Sequence, residues 1–216
     1  MITNPALGIF GGTFDPIHMG HIKPVMEAAS QLNINKIALI PCHIPPHKNP
    51  ASTSSEHRLA MVKLVCQQYP MFFPDGREIK RDKPSYSIDT LRELRRLQPN
   101  TPLCFFIGMD SLLSLPTWHH WQELFKLCHF VVCQRGGQTP QFSTQISQLL
   151  KERQVTAPFE IQKSLAGKIV IANTNVVAIS STELRVRIAK QLPVDGLIPD
   201  PVLNYIQQNS LYTQNT

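Results

Sequence analysis

Several features that mark membrane, secreted or zinc-binding proteins are missing from this chain of 216 residues. No uncharged apolar run approaches the length that spans a bilayer. Residues 1–5 lack the basic start and the apolar core of a signal peptide, so we expect a cytoplasmic protein. The five cysteines form no Cys-x-x-Cys pair, and most stand in apolar runs. This favours buried thiols in a reducing cytosol and argues against a zinc site.

Common catalytic and nucleotide-binding motifs are absent as well. There is no Gly-x-x-x-x-Gly-Lys-Ser/Thr sequence, which excludes a P-loop enzyme, and no Gly-x-Gly-x-x-Gly after the first apolar run to indicate NAD as a redox cofactor. No Ser-His-Asp or Cys-His arrangement of a nucleophilic enzyme stands out. The net charge of +6 favours anionic partners. The absence of any block of five Lys or Arg residues argues against a polybasic nucleic-acid arm.

Strand and helix signals alternate along the chain. Apolar runs predict strands at residues 6–10, 36–40, 103–107, 129–133, 168–171 and 176–179. Apolar residues at helical spacing predict helices between them, with Ser55 and Ser87 as caps, and two more helices near 181–190 and 199–209. For residues 138–168 we expect a peripheral helix and loops. The alternation predicts an α/β fold with a doubly wound, mostly parallel sheet and helices on both faces.

The most informative segment is Gly-Gly-Thr-Phe-Asp-Pro-Ile-His-Met-Gly-His at residues 11–21, here called the first turn. It joins a predicted strand to a predicted helix, where parallel α/β sheets hold phosphates on backbone N–H groups. Its first two glycines let the backbone approach a ligand, and Thr13 can donate a hydroxyl. His18 and His21 share a helical face and can each donate an N–H to phosphate, while a cationic form would offset developing charge. The segment predicts chemistry on a nucleoside triphosphate; for one histidine alone, a core or surface role is the alternative.

A second candidate anion site is Ile-Ser-Ser-Thr-Glu-Leu-Arg at residues 179–185. Ser180 with Glu183 fits a capping box directly after a predicted strand. The helix that begins there presents free N–H groups, three hydroxyls and the positive end of its dipole. Arg185 lies four residues after Ser181, on the same face, and can reach the same anion. An ordinary capped surface helix is the alternative, but we expect both segments at the carboxyl edge of one sheet, where α/β proteins bind ligands.

Three other places carry residues suited to nucleotide chemistry. Asp110 follows the strongest apolar run, where a carboxylate can bind ribose hydroxyls, an amine or a metal; a helix-capping role is the alternative. His47 and Lys48 lie on a proline-stiffened loop that could close over phosphates or stand in solvent. Trp118 and Trp121 could stack on a heterocycle or belong to the core, and their spacing does not distinguish the two.

These motifs together resemble the nucleotidyltransferases related to class I aminoacyl-tRNA synthetases, which carry a His-x-Gly-His motif. Within that superfamily the chain is similar to bacterial nicotinate-nucleotide adenylyltransferases. The similarity lies in Pro-Pro-His-Lys at 45–48, Pro-Ser-Tyr-Ser-Ile-Asp-Thr-Leu at 84–91, Ile-Gly-Met-Asp-Ser-Leu-Leu-Ser-Leu-Pro-Thr-Trp at 107–118 and Leu-Ile-Pro-Asp-Pro-Val-Leu-Asn-Tyr-Ile at 197–206. The family usually has Ser-Tyr-Thr where this chain has Ser85, Tyr86 and Ser87, and serine keeps the hydroxyl.

The resemblance implies a single Rossmann-like domain over residues 1–216, with the helices of about 179–212 packed onto it. The implied reaction is adenylyl transfer from ATP to nicotinate mononucleotide, giving nicotinate adenine dinucleotide and pyrophosphate in NAD biosynthesis. Mg²⁺ is the implied cofactor, and with no carboxylate cluster evident we expect substrate phosphates to hold it. We expect no nucleic-acid or membrane partner. An adenylyltransferase or cytidylyltransferase acting on nicotinamide mononucleotide or phosphopantetheine is the alternative, and a nucleic-acid-binding module is a remote one.

The resemblance also implies roles for individual residues. His18, His21 and Arg185 would be catalytic, acting by charge stabilisation. The ATP-binding residues would be Gly11, Gly12, Thr13, Phe14, Gly108, Asp110, Ser180, Ser181 and Thr182. The mononucleotide-binding residues would be Lys48, Tyr86, Ser87, Thr90, Trp118 and Arg135.

Overall fold

The computed structural model describes residues 5–44, 51–135, 140–175 and 177–213. It contains a six-stranded parallel sheet with the strand order β3-β2-β1-β4-β5-β6. The strands are β1 (Leu7–Gly12), β2 (Ile37–Pro41), β3 (Phe72–Pro74), β4 (Leu103–Gly108), β5 (His129–Arg135) and β6 (Ile169–Thr174). The order runs outward from β1 in one direction and from β4 in the other, which confirms the doubly wound topology.

Helices flank the sheet. Within the described residues they are α1 (Met19–Gln31), α2 (Ser55–Gln68), α3 (Ser87–Leu97), α4 (Met109–Ser114), α5 (Trp121–Leu124), α6 (Thr144–Arg153), α7 (Ser181–Ala189) and α8 (Asp200–Gln208). Two short 3₁₀ helices occupy Leu115–Thr117 and Pro158–Gln162. None of the helices in the described ranges is long and apolar enough to cross a membrane.

The chain forms two compact units. Unit 1 comprises Met1–Phe10, Pro24–Ala38 and Tyr86–Asn175, and unit 2 comprises Gly11–Lys23, Leu39–Ser85 and Val176–Thr216. The organisation as a single domain stays a prediction.

Unit 1 is built on β4, which is buried over Leu103–Ile107 and pairs with β5 in parallel register. Phe105 in β4 lies opposite Phe130 in β5, and Phe130 lies opposite Ile169 in β6. Strands that are covered on both faces need such continuous apolar runs, which is why β4 and β5 are the clearest strands of the sequence.

Unit 2 is built around the first turn, α2, α7 and α8. Its helices α2 and α8 are joined by a hydrogen bond between His57 Nδ1 and the Tyr205 hydroxyl at 2.9 Å. Buried Val62 and Val65 of α2 and Val202 and Ile206 of α8 belong to its apolar core.

Three local predictions are wrong. The last predicted strand is irregular over its described residues 177–179, because Ile179 N donates to Val177 O at 2.8 Å in a local turn. Helix α2 is capped by Ser54, whose Oγ accepts from His57 N, since the Ser55 hydroxyl is bonded elsewhere. Helix α3 begins at Ser87 and is preceded by Tyr86 at the N-cap position, without a side-chain cap. The strand error arose because a short apolar run fits several local structures equally well. The two cap errors arose because neighbouring polar residues can serve as caps equally well.

Candidate active site

The first turn is held in place by hydrogen bonds at both of its ends. Cys42 N donates to Gly12 O at 3.0 Å, and Met19 N donates to Leu197 O at 2.9 Å. Phe14 has a φ of 52° and its side chain is only 1 % exposed. Phe14 is therefore packed inside unit 2, and its role in binding ATP stays a prediction. A Cβ on Gly12 would lie 2.8 Å from the Phe14 ring, so this glycine is required for packing.

The two histidines of the turn stand side by side, with ring centroids 3.8 Å apart and planes tilted by 34°. His18 is buried, and its Nδ1 accepts a hydrogen bond from Gly20 N at 3.1 Å. Its proton therefore resides on Nε2. Burial lowers the pKa of His18 to about 4. In the free protein His18 is thus a neutral N–H donor at neutral pH, and the cationic form considered from the sequence does not apply to it.

Gly20 is needed for the position of His18. A Cβ at Gly20 would lie 2.9 Å from the His18 ring and 3.2 Å from the carbonyl oxygen of Ile179. The ring of His21 also makes a T-shaped contact with the ring of Phe14, at a centroid distance of 5.4 Å. The spacing of the motif therefore serves the packing of the imidazole pair as well as any contact with a ligand.

Helix α7 begins beside the first turn. The Ser180 Oγ caps the helix by accepting from Glu183 N at 3.1 Å, as the capping motif predicts. Ser181 Oγ donates to Pro16 O at 3.0 Å, and Arg185 Nη1 donates to Asp15 O at 2.8 Å. Unit 2 thus brings together the two segments that the sequence assigned to the triphosphate, and their roles in binding it stay predictions.

Sequence reasoning missed Asp15, although it lies inside the first turn. Its side chain is only 5 % exposed. Oδ1 accepts from the Tyr212 hydroxyl at 2.7 Å, and Oδ2 accepts from Ser52 N at 2.7 Å. No periodic signal connects residues 197 positions apart; the one available hint was a carboxylate in an otherwise uncharged glycine-rich turn.

Arg58 was missed as well. The residue is 1 % exposed, and its guanidinium donates to backbone carbonyls. The acceptors are the carbonyl oxygens of Thr13 (2.8 Å), Cys42 (2.6 Å), His43 (3.1 Å) and Thr53 (3.3 Å). A signal existed: Arg58 precedes Met61, Val62 and Val65 on the apolar face of α2, where an arginine must find buried partners.

A cavity of about 540 Å³ opens in unit 2. Two of its lining residues, Thr182 and Arg185, are among those predicted to bind phosphate. Six further lining residues carry hydroxyl groups: Ser52, Thr53, Ser54, Ser210, Tyr212 and Thr213. Arg185 Nη2 donates to Thr182 Oγ1 at 3.2 Å within this lining.

The predicted adenosine-binding residues lie in unit 1. Gly108 ends β4 and is the N-cap of α4, and Asp110 follows in the first turn of that helix. Both are exposed, and a Cβ on Gly108 would meet nothing within 4 Å. Because Gly108 occupies the N-cap position, the capping alternative for Asp110 is wrong.

The predicted mononucleotide-binding residues differ in their burial, and some of them lie outside the described residues. Tyr86 is half-buried, and its ring lies 4.7 Å from that of His119. Trp118 is half-buried and packs edge-on against Phe105 at 6.2 Å. Thr90 is only 4 % exposed and is one of the buried residues of α3. Ser87 is half-buried at the start of α3. His47, Lys48 and the side chain of Arg135 lie outside the described residues.

Comparisons with known proteins show the family of this chain. The cytidylyltransferase-like family matches residues 9–187. A Pseudoalteromonas atlantica protein named "Probable nicotinate-nucleotide adenylyltransferase" is 52 % identical over 98 % of this chain and 97 % of its own length. The chain belongs to the nicotinate-nucleotide adenylyltransferase family. A further member, from Aeromonas salmonicida, is 48 % identical over 95 % of this chain and 96 % of its own.

Solved structures of other proteins have the same fold as this chain. A Plasmodium falciparum nicotinic acid mononucleotide adenylyltransferase complexed with NaAD has a TM-score of 0.72 at 21 % identity. The two chains are covered to 97 % and 98 %. The same enzyme complexed with APC gives a TM-score of 0.70. These structures confirm the Rossmann-like fold, and the relatives of 48–52 % identity show that the chain is a nucleotidyltransferase.

Proposed function

We propose that this enzyme transfers the adenylyl group of ATP to nicotinate mononucleotide, with release of pyrophosphate. The observation that carries the proposal is the hydrogen-bonded junction of the first turn with α7, through Ser181 and Arg185. It gathers an imidazole pair, a helix N-terminus and a guanidinium in one unit, which is what a polyanion requires. The names of the full-length relatives support the choice of acceptor.

The phosphate of the mononucleotide is the nucleophile, and it is ionised at neutral pH, so the reaction needs no general base. One of its oxygens forms a bond to the α-phosphorus while the bond from that phosphorus to the bridging oxygen of pyrophosphate breaks. The barrier lies in bringing two anions together and in dispersing the charge of the leaving group. His18 donates from Nε2 as a neutral imidazole. Arg185 and the N-terminus of α7 offset the charge that develops on pyrophosphate.

Mg²⁺ is proposed to accompany ATP and to neutralise part of its charge. Within the described residues no group of three His, Cys, Asp or Glu side chains could hold a metal ion. The buried carboxylate of Asp15 already accepts two short hydrogen bonds. We therefore assign the binding of Mg²⁺ mainly to the substrate phosphates, and no step of the mechanism is assigned to the ion.

The substrate assignment is tested by measuring pyrophosphate release from ATP with three acceptors at equal concentration. We expect nicotinate mononucleotide to give a higher kcat/KM than nicotinamide mononucleotide or phosphopantetheine. Faster release with either of the other acceptors would contradict the proposal. Tight, salt-sensitive RNA binding without pyrophosphate release would instead indicate a nucleic-acid-binding module.

The direct attack is tested with ATP that is chirally labelled at the α-phosphorus. A single in-line displacement inverts the configuration in the dinucleotide product. Retention would show two displacements and a covalent enzyme intermediate, which contradicts the mechanism.

A further inference from the structure

The carboxylate of Asp15 is at the centre of a buried hydrogen-bond network in unit 2 that the mechanism above does not use. Its two oxygens each accept one hydrogen bond of 2.7 Å, from the Tyr212 hydroxyl and from Ser52 N. Bonds this short to an ionised acceptor are among the stronger hydrogen bonds in proteins. Tyr212 comes from the segment after α8, far from the first turn in the sequence.

Arg185 lies beside this carboxylate but does not form a hydrogen-bonded ion pair with it. Its Nη1 is bonded to the backbone oxygen of Asp15 at 2.8 Å, whereas the same Nη1 lies 3.8 Å from Oδ2. A well-formed Arg–carboxylate pair has two parallel bonds of about 2.7–2.9 Å. The side chain of Arg185 is 27 % exposed and lines the cavity described above. Its guanidinium thus keeps donors available for an anion.

Removal of the Tyr212 hydroxyl would leave Oδ1 of a buried carboxylate without its donor. An unsatisfied buried charge is costly, and Arg185 already lies within 4 Å of the other oxygen. The guanidinium can relieve the cost by rotating into a bidentate pair with Asp15. It would then offer fewer donors to phosphate.

We propose that Tyr212 is a positioning residue that acts through Asp15 to keep Arg185 available for the β and γ phosphates of ATP. The inference rests on the proposed function, which assigns Arg185 to those phosphates. Burial and the neighbouring Asp15 charge raise the pKa of Tyr212 well above its usual value, so the hydroxyl stays a donor throughout the working pH range.

The test is a double-mutant cycle that combines Tyr212→Phe with Arg185→Ala. In the wild-type background we expect Tyr212→Phe to lower kcat/KM for ATP about tenfold, the scale of one charge-assisted hydrogen bond, with the KM for the mononucleotide unchanged. In the Arg185→Ala background we expect the same substitution to change kcat/KM less than about twofold, because the group it acts on is gone. Calorimetric titration with inorganic pyrophosphate provides a second readout that needs no turnover.

Tyr205→Phe is the matched control. It removes a second tyrosine hydroxyl bond of unit 2, to His57 Nδ1 at 2.9 Å, without contacting Asp15. We expect its kcat/KM for ATP to equal that of the wild type, and thermal unfolding of each variant reports whether it is folded.

Two results would overturn the inference, and they are distinguishable. If Tyr212→Phe lowers kcat/KM by the same factor with and without Arg185, Tyr212 does not act through the guanidinium, while the proposed function stands. If Arg185→Ala itself leaves ATP kinetics and pyrophosphate binding unchanged, the assignment of Arg185 in the proposed function fails together with the inference.

Discussion

The two regions assigned to ATP differ in how far their residues are buried and hydrogen-bonded in the protein without ligand. In unit 2 the first turn and α7 are cross-linked by hydrogen bonds, and His18 and Asp15 are buried. In unit 1 Gly108 and Asp110 are exposed at the end of β4, with open space around the glycine. Offsetting developing charge requires dipoles that are already oriented, since reorientation during the reaction would cost free energy. A nucleoside can be bound by an exposed backbone position and one carboxylate, so this region needs fewer groups that are oriented before the ligand binds.

The largest effect expected from this difference is on turnover. We expect His18→Ala or His21→Ala to lower kcat about 10²–10³-fold, because each removes an oriented donor to the transition state. Substrate binding should change far less. Steady-state kinetics with both substrates measure this, with His120→Ala, an exposed histidine of unit 1, as the control expected to behave as wild type. A loss of affinity at unchanged kcat would contradict the assignment.

A smaller effect concerns stability against pH. The folded pKa of His18, about 4, lies below its unfolded value near 6.5, so the unfolded state binds more protons between these values. The stability contribution of neutral His18 is complete above pH 6.5 and decreases as the pH falls towards 4. We expect the loss of unfolding free energy between pH 7 and pH 4 to be roughly 2–3 kcal/mol smaller in His18→Gln than in the wild type. Urea unfolding at the two pH values measures it. An unchanged pH dependence would show that His18 is not buried as a neutral group.

His129 of unit 1 provides the reference for that experiment. Burial also lowers its pKa, and its Nδ1 accepts from Lys168 N at 3.1 Å. The pH dependence that remains in His18→Gln should therefore keep the same sign. The experiment thus separates the pH dependence of stability due to His18 in unit 2 from that due to His129 in unit 1.

The smallest effects distinguish the glycines of the two regions. We expect Gly20→Ala to cost about 1–3 kcal/mol of unfolding free energy, since its Cβ would lie 2.9 Å from the His18 ring. Gly108→Ala should change stability by less than about 0.5 kcal/mol, because its Cβ enters open space at a φ of −80°. Denaturant unfolding of both variants checks this. Equal costs at the two positions would remove the contrast between a packed and an open region.

The sequence predicted well those parts of the site that short motifs encode. Ser180 as the cap of α7, and Arg185 four residues after Ser181, follow from helical spacing, and the structure brings this helix to the first turn. The apolar runs of β4 and β5 and the order of elements led to the doubly wound sheet, which is confirmed. Local patterns of this kind are readable because their geometry is fixed within a few residues.

What the sequence did not predict depends on contacts between distant residues. The bond from Tyr212 to Asp15, and the four carbonyls around Arg58, have no local signature. Phe14 was assigned to ATP because it lies in the motif, but no local pattern showed that its ring packs beside His21. A motif identifies residues that act together, and only the packing shows which of them face a ligand.

The central claim is that unit 2 recognises the phosphates while Asp110 of unit 1 contributes to the nucleoside. Calorimetric titration with inorganic tripolyphosphate, which has no nucleoside, tests it most directly. The account predicts that Arg185→Ala raises the Kd at least about tenfold and that Asp110→Ala leaves it unchanged. A tripolyphosphate affinity that is insensitive to Arg185→Ala, or reduced by Asp110→Ala, would contradict it.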